Sequence, residues 1–564
     1  MTTDQPGVVA PLIPAARTPA PAEEAPARRG FLARAFGVTA LLSAAGSGLG
    51  LLRDLLLARY FGANQGTDAF LVSWTVPETA APLLIEDAMA FLMVPAFSLA
   101  LVLREERPHG PDPVRQLVRA TLPWLLLALC ALSAAVALGA PQLVEVLAPG
   151  LADPGLAVTC TRITAITILP FGVAGYLGSA LRAHHRFTAP AAIYVVYNAA
   201  ILTLLLTGHG LLGVRSAAVG VALGSALMTA LLIGPFVRSL REGRPGRGRR
   251  SRQSLVLMPL AMLPVAAFTL TRQAQVFIER FLGSALPPGT ISHLNYAAKV
   301  SQLAMTAALL ICTVTFPLVA RALAAGDLTA ARDRVEKDLG QAAAVVLAGT
   351  AFLMACAPQV VSLLFERGAF GPQDTAATAA VIRVYSFGLP AQALIGVMVR
   401  PYFSVRPVVR RADQPAGQRT ALLDWYPVAA MAVGLVVTVG VGLAALPHFG
   451  ALGLAAGNAA GITTTAALLM RGLLLRGIAL RVPKVLGGQA RLLAAAVGAA
   501  LTGLPAGYPV RDPLLATVLG GLCVLLVFAA LGTALGAPEV RGPVLALVRA
   551  LNPPAPEGKL PDGT

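Results

Sequence analysis

About ten Lys, Arg, Asp and Glu side chains fall inside stretches of the chain that are otherwise almost free of charge. Arg53 and Asp54 are adjacent, with Arg59 one and a half turns further on. Asp68, Glu78, Glu86 and Asp87 follow within twenty residues. Arg272, Gln275 and Glu279 recur at spacings of three and four and so share one helical face, with Arg280 beside them. Lys299 lies close to Tyr296, and Arg383 stands alone. Ionisable groups at membrane depth are costly, so they face a bundle interior or a water-filled cavity. Arg53, Arg280 and Lys299 would make such a cavity attractive to an anion, with phosphate or pyrophosphate the natural candidates. The plainer alternative is that Arg53–Asp54 and Glu279–Arg280 are ion pairs that hold helices together. On residue types alone, both readings stand.

These side chains must be carried by membrane-spanning helices. The 564 residues are 56% hydrophobic and only 13% charged, with a mean hydropathy of +0.73. Soluble domains carry about 25% charged residues. Fourteen apolar runs recur, each near the roughly 20 residues a helix needs to cross the hydrocarbon core. None shows the alternation of an outer-membrane strand. The expected fold is all-α and polytopic, with about fourteen transmembrane helices in two six-helix lobes plus two C-terminal helices.

The spans are expected at 31–58, 67–103, 114–139, 156–182, 187–207, 211–237, 254–283, 290–320, 339–357, 375–404, 420–446, 451–475, 488–506 and 513–536. Pro77, Pro82 and Pro95 predict breaks or bends in the second. Residues 1–30 read as a disordered cytoplasmic tail and 31–238 as the N-lobe. A basic cytoplasmic linker (239–253), a C-lobe (254–476), the last two helices (488–536) and a C-terminal tail (552–564) complete the chain. The buried charges then concentrate in helices one, two, seven and eight, the first two of each lobe, which points to a central cavity between lobes.

Charge placement sets the orientation. With a cytoplasmic N-terminus and fourteen crossings, about 34 of the 44 Lys and Arg lie inside and about four outside. Both termini are then cytoplasmic. The net charge of +17 is explained by this asymmetry, and the run Arg238–Arg252 reads as a topological anchor on an anionic leaflet in preference to a nucleic-acid surface. The five cysteines are scattered singly, with no CxxC pair, so neither a metal site nor a disulfide framework is expected. Gly172–Gly178 and Gly220–Gly224 read as places of close helix packing. P-loop, HExxH and GxSxG motifs are missing, and no catalytic residue or cofactor is assigned.

The segment Gly50–Pro95 resembles the opening helices of the MurJ/MviN lipid II flippases. That family shows G-x-x-RD-x-x-x-A-R-x-FG, then TDAF, then a proline, a glutamate and VP, at the spacings found here. Leu147–Leu151, His185–Pro190, Asn295–Pro317, Leu364–Phe370, Val384–Gly388 and Pro401–Arg406 are similar to further stations in order, so the resemblance covers about 31 to 540. It implies a transporter of the multidrug/oligosaccharidyl-lipid/polysaccharide superfamily in the bacterial inner membrane. Its partners would be a lipid-linked anionic precursor, membrane lipids and cell-wall synthesis proteins. Carried over by position, it makes Arg53, Asp54, Asp68, Glu86 and Lys299 substrate-site residues, with Asp54 and Asp68 orienting or releasing the cations.

Two positions depart from the family pattern. Ser47 and Ala81–Pro82 stand where relatives carry an arginine and an arginine pair. Arg272 and Arg280 are the residues expected to substitute. Sodium coupling, known for some relatives, finds Arg272 in the seventh helix instead of a clear acidic ligand, and otherwise only Asp424, Asn458 and Thr463. A drug or ion antiporter of the same superfamily and a non-transporting scaffold of a cell-wall complex remain the rival readings.

Overall fold

The computed structural model describes residues 26–86, 88–106, 112–241, 258–305, 319, 327–404, 418–476, 478–506, 510 and 512–551. The two tails, most of the basic linker, Asp87 and the far half of the eighth expected span lie outside the described residues. Among those described, all regular structure is helical. The helices are α1 (Pro26–Phe61), α2 (Gln65–Ala81), α3 (Ala88–Glu106), α4 (Pro113–Leu138), α5 (Ala140–Leu147), α6 (Pro154–Ala165), α7 (Ile168–Ala183), α8 (Thr188–Leu212) and α9 (Arg215–Arg241). Then come α10 (Met258–Gly283), α11 (290–305), α12 (Leu328–Phe365), α13 (Pro372–Ser386), α14 (Leu389–Ser404), α15 (Gln418–Phe449), α16 (Ala451–Leu475), α17 (Val482–Ala506), α18 (Pro513–Ala534) and α19 (Pro538–Leu551).

Ten helices among the described residues are long and apolar enough to cross a membrane, and α13–α14, bent by 47°, would make eleven. The second, seventh and eighth expected crossings fall outside that set. The second is broken into α2, a π-type turn over Pro82–Glu86, and α3. The seventh, α10, carries Arg272, Glu279 and Arg280. Only 290–305 of the eighth are described. The crossings that fall short of a simple apolar span are thus largely the ones that bear the buried charges.

Local chemistry starts the helices where the apolar runs begin. Asn64, Asp112, Asp153, Asp327 and Asp512 cap α2, α4, α6, α12 and α18 by accepting main-chain N–H groups left free in the first turn. At Asp327 the N–H groups of Ala330 and Thr329 and the Thr329 hydroxyl favour the ionised carboxyl and hold its pKa below the ordinary value.

Prolines inside helices leave carbonyls four residues back without a donor. Three of these are met by side chains from other helices. Pro77 frees the Ser73 carbonyl, which accepts from the Thr164 hydroxyl at 3.1 Å. Pro82 frees that of Glu78, which accepts from Gln273 Nε2 at 3.1 Å. Pro358 frees that of Met354, which accepts from Arg383 Nε at 3.1 Å, next to a kink at Cys356. Arg383 is thereby given a structural task.

Buried side chains of α1–α9 form one core around Phe97, Tyr176, Ile201 and Met228. Those of α10–α19 form two more, one around Tyr296, Phe365 and Phe370 and one around Tyr402 and Leu469. The last two crossings, α17 and α18, pack on α12, where Gly520 lies against Cys356 and Gly521 against Phe352. The expected close packing is found at four glycines. A methyl group at Gly172, Gly175, Gly220 or Gly224 would collide with Leu129, Leu84, Ile201 or Tyr197, while Gly178 faces open space.

Candidate functional site

Arg53 lies in the last third of α1. Its Nε and Nη2 donate to Asp54 Oδ1 at 3.0 and 2.9 Å, and Nη1 lies 3.4 Å from Asn198 Oδ1 on α8. The guanidinium stacks on the Trp74 ring of α2 at 4.4 Å, a cation–π contact. One turn beyond Trp74, on the same face of α2, Glu78 points to the other half of the molecule. Its carboxylate lies 3.7 Å from Arg280 Nη2 on α10 and 3.6 Å from Lys299 Nζ on α11. Arg280 also donates to Asn295 Oδ1 at 3.2 Å and is only 3% exposed. The Lys299 side chain is 28% exposed, so it is the cation through which this cluster meets the space beside the packed interior.

The structure therefore brings Arg280 and Lys299 together and places Arg53 and Asp54 beside them, one turn along α2. Two unit charges about 4 Å apart attract by ~4 kcal/mol at an effective dielectric of 20. Glu78 can compensate two cations at once, which leaves the Glu78–Arg280–Lys299 group with a net positive charge. Glu78 was visible in the sequence as a buried acid, but nothing in its spacing revealed that it is the carboxylate shared between the halves.

The other expected residues lie elsewhere. Asp68 is not turned to the cations. Its Oδ2 accepts the Gly289 N–H at 2.6 Å, and its Oδ1 accepts the Ser292 N–H and hydroxyl at 2.8 and 2.6 Å. It thus caps α11 from across the halves. Glu86, at the end of the π-type turn, is exposed and accepts from the Tyr194 hydroxyl at 2.6 Å. Arg272 is exposed, and on the helical wheel of α10 it points opposite to the exposed Leu263 and Phe281. Asn458, named only among the weak sodium candidates, meets an acid of the seventh helix. Glu279 accepts from Asn458 Nδ2 at 2.6 Å and from Gln275 Nε2 at 3.3 Å. Thr463 bonds its own helix at Ala459, and the Asp424 side chain lies outside the described residues.

Next to Asp68, four loops interlock at one end of the bundle. The Ala369 N–H donates to the Arg59 carbonyl at 2.8 Å, joining the α1–α2 connection to α12–α13. The Gly150 N–H donates to Ser284 Oγ at 3.3 Å, joining α5–α6 to α10–α11. Gly62 (φ +67°) and Gly289 (φ +93°) adopt left-handed backbone there, and a methyl group on either would sit 2.6 Å from a carbonyl, of Ala369 and Ala63 respectively. The four loops are thus in direct contact at this end.

The family model described as "Lipid II flippase MurJ" matches residues 57–505. A probable lipid II flippase MurJ of Rhizobium meliloti is 28% identical over 443 residues, covering 76% of this chain and 78% of the relative. The lipid II flippase MurJ of Burkholderia cenocepacia is 27% identical over 466 residues, covering 80% and 85%. Among solved structures, a lipid II flippase MurJ in an inward closed conformation superposes with a TM-score of 0.70 at 16% identity, covering 88% of this chain and 99% of that one. An inward-facing multidrug resistance MATE transporter reaches 0.59 at 14% identity, covering 78% and 98%. These structural likenesses concern the fold.

Proposed function

The chain belongs to the MurJ lipid II flippase family, and on that footing we propose that it moves a lipid-linked, pyrophosphate-bearing cell-wall precursor, lipid II or a close analogue, across the bacterial inner membrane by alternating access. It is a multi-pass membrane transporter. Residues 31–238 and 254–476 act as two lobes joined by the basic linker 239–253, with 488–536 added to the second. Both termini are cytoplasmic, as the basic loops require. The interlocked end then faces outward, and the cargo headgroup enters from the cytoplasmic side.

The observation that carries this reading is the convergence of Arg280 and Lys299 from the second half on one carboxylate of the first, with Arg53 a turn away. Cations held at depth by a single acid suit an anionic headgroup. A cationic drug would have to compete with Arg53, Arg280 and Lys299 for the acids of the site, which disfavours the antiporter reading. In this mechanism Lys299 is the first contact for phosphate, and Arg280 and Arg53 complete the cradle. Glu86 and Arg272 line the approach. The acyl chain remains in lipid, and rocking of the lobes opens the outer end once Asp68 releases α11. Cell-wall synthesis proteins that make or use the precursor are the natural partners.

Complementation of a flippase-depleted strain tests the proposal. The wild type should restore growth, whereas Lys299→Ala and Arg53→Ala should fail at equal protein level. Growth restored equally by all three would remove Lys299 and Arg53 from the site, and failure of the wild type to restore growth would favour a scaffold.

A further inference from the structure

Glu78 belongs to α2 of the first half, yet its side chain is directed to Arg280 and Lys299 of the second. Its main-chain carbonyl is also held from the second half, by Gln273. Both its charge and its backbone thus join the halves, immediately before the Pro82–Glu86 break. We propose that Glu78 is a built-in stand-in for the cargo's phosphate, a specificity-determining residue that the incoming anion must displace from Arg280 and Lys299. This rests on the flippase reading above and assigns to it a competitor already present in the site.

The charge balance supports the exchange. A diphosphate diester carries about two negative charges at neutral pH, one per phosphate, because the remaining acidic oxygens ionise near the bottom of the range. Arg280 and Lys299 supply two positive charges. Among the described residues Glu78 is the carboxylate that lies within 4 Å of both cations, so an anion that takes up the pair must compete with it first. A displaced Glu78 has its next cation on its own face of α2, where Arg53 lies on Trp74. Its Oε2 is buried without a hydrogen-bond partner among the described residues, 3.7 Å from Arg280, so the resting ion pair leaves hydrogen-bonding capacity unused that an incoming phosphate oxygen could take up. Movement of this carboxylate would also release the tie between α2 and the second half, which couples occupancy to rearrangement.

The test uses the full-length protein in nanodiscs of zwitterionic lipid, with inorganic pyrophosphate as the probe. Glu78→Gln keeps the shape and removes the competing charge. It should bind pyrophosphate about tenfold tighter than the wild type, and pyrophosphate should raise its melting temperature by more. Adding Lys299→Ala to Glu78→Gln should abolish the gain. Equal or weaker binding by a folded Glu78→Gln variant overturns the proposal, as does tight binding that survives Lys299→Ala. A merely structural Glu78 would lower the melting temperature without tightening pyrophosphate binding. Failure of the wild type to complement would reject the flippase reading alone, since the binding comparison needs no translocation.

Discussion

Ser292 gives both its main-chain N–H and its hydroxyl to one oxygen of Asp68, at 2.8 and 2.6 Å, across the boundary between the halves. An amide in place of this carboxylate keeps one accepting oxygen and turns an NH2 toward a donor. Asp68→Asn should therefore weaken the interlocked end, at a cost of about 1.5–3 kcal/mol for hydrogen bonds to a charged group. In a background stripped of native cysteines, a cysteine at position 63 should become reactive to an impermeant thiol reagent. Unchanged labelling would show that Asp68 does not hold this end shut.

Gln273 replaces the hydrogen bond that Pro82 cannot make. Gln273→Leu leaves the Glu78 carbonyl buried without a donor, at about 1–3 kcal/mol. Pro82→Ala returns an N–H to the helix. Thermal unfolding of the two single variants and the double variant should show the double to be less destabilised than the sum. Strict additivity would mean that the two positions act independently.

Arg280 and Arg272 should separate folding from transport. Arg280 is 3% exposed, so Arg280→Ala should lower the yield of folded protein as well as activity, because it strips a partner from a buried acid. Arg272 is exposed on the side of α10 away from Leu263 and Phe281. Arg272→Ala should leave melting within about 1 °C, since surface changes are usually worth under ~0.5 kcal/mol, yet reduce complementation. The double variant should not transport, and full transport by it would remove both residues from the site.

Asp327 provides a pH readout away from the membrane spans. Its folded pKa lies below the ordinary value, so its stabilising effect on the start of α12 is complete above the unfolded pKa and is lost as pH falls through the folded one. Amide exchange at Thr329 and Ala330 should accelerate as the carboxyl protonates in acid, beyond the intrinsic trend. Asp327→Asn should flatten that response, and an unaltered profile would contradict the capping role.

The helical class and most crossings were legible because bilayer spans must be apolar, and the runs around Leu125 and Leu522 are unmistakable. Breaks were harder. Pro77 and Pro82 announced the one in the second crossing. Pro170 and Pro390 likewise follow the interruptions at Ile166–Thr167 and Phe387–Gly388 in the fourth and tenth crossings, but no break was drawn from them. Amphipathic α19 escaped notice because Pro and Gly interrupt a short pattern. At the site, the identity of the buried charges was readable from their cost in lipid, but their pairing was not. Asp68 and Lys299 are both ionisable groups at depth in one dimension, yet in three dimensions one caps a helix and the other, partly exposed, pairs with Glu78. Arg383 stood alone in the sequence, and its partner is the Met354 carbonyl that Pro358 leaves free.

The four interlocked loops meet crosswise, the first connection of one half with the middle connection of the other, and the reverse. Parting either couple alone leaves the second as a rivet that holds the halves in register. A partial gap is therefore an unfavourable state, and the passage should switch as a unit. For a carrier that must admit a bulky headgroup, such a closure would open at this end in one step and not by degrees.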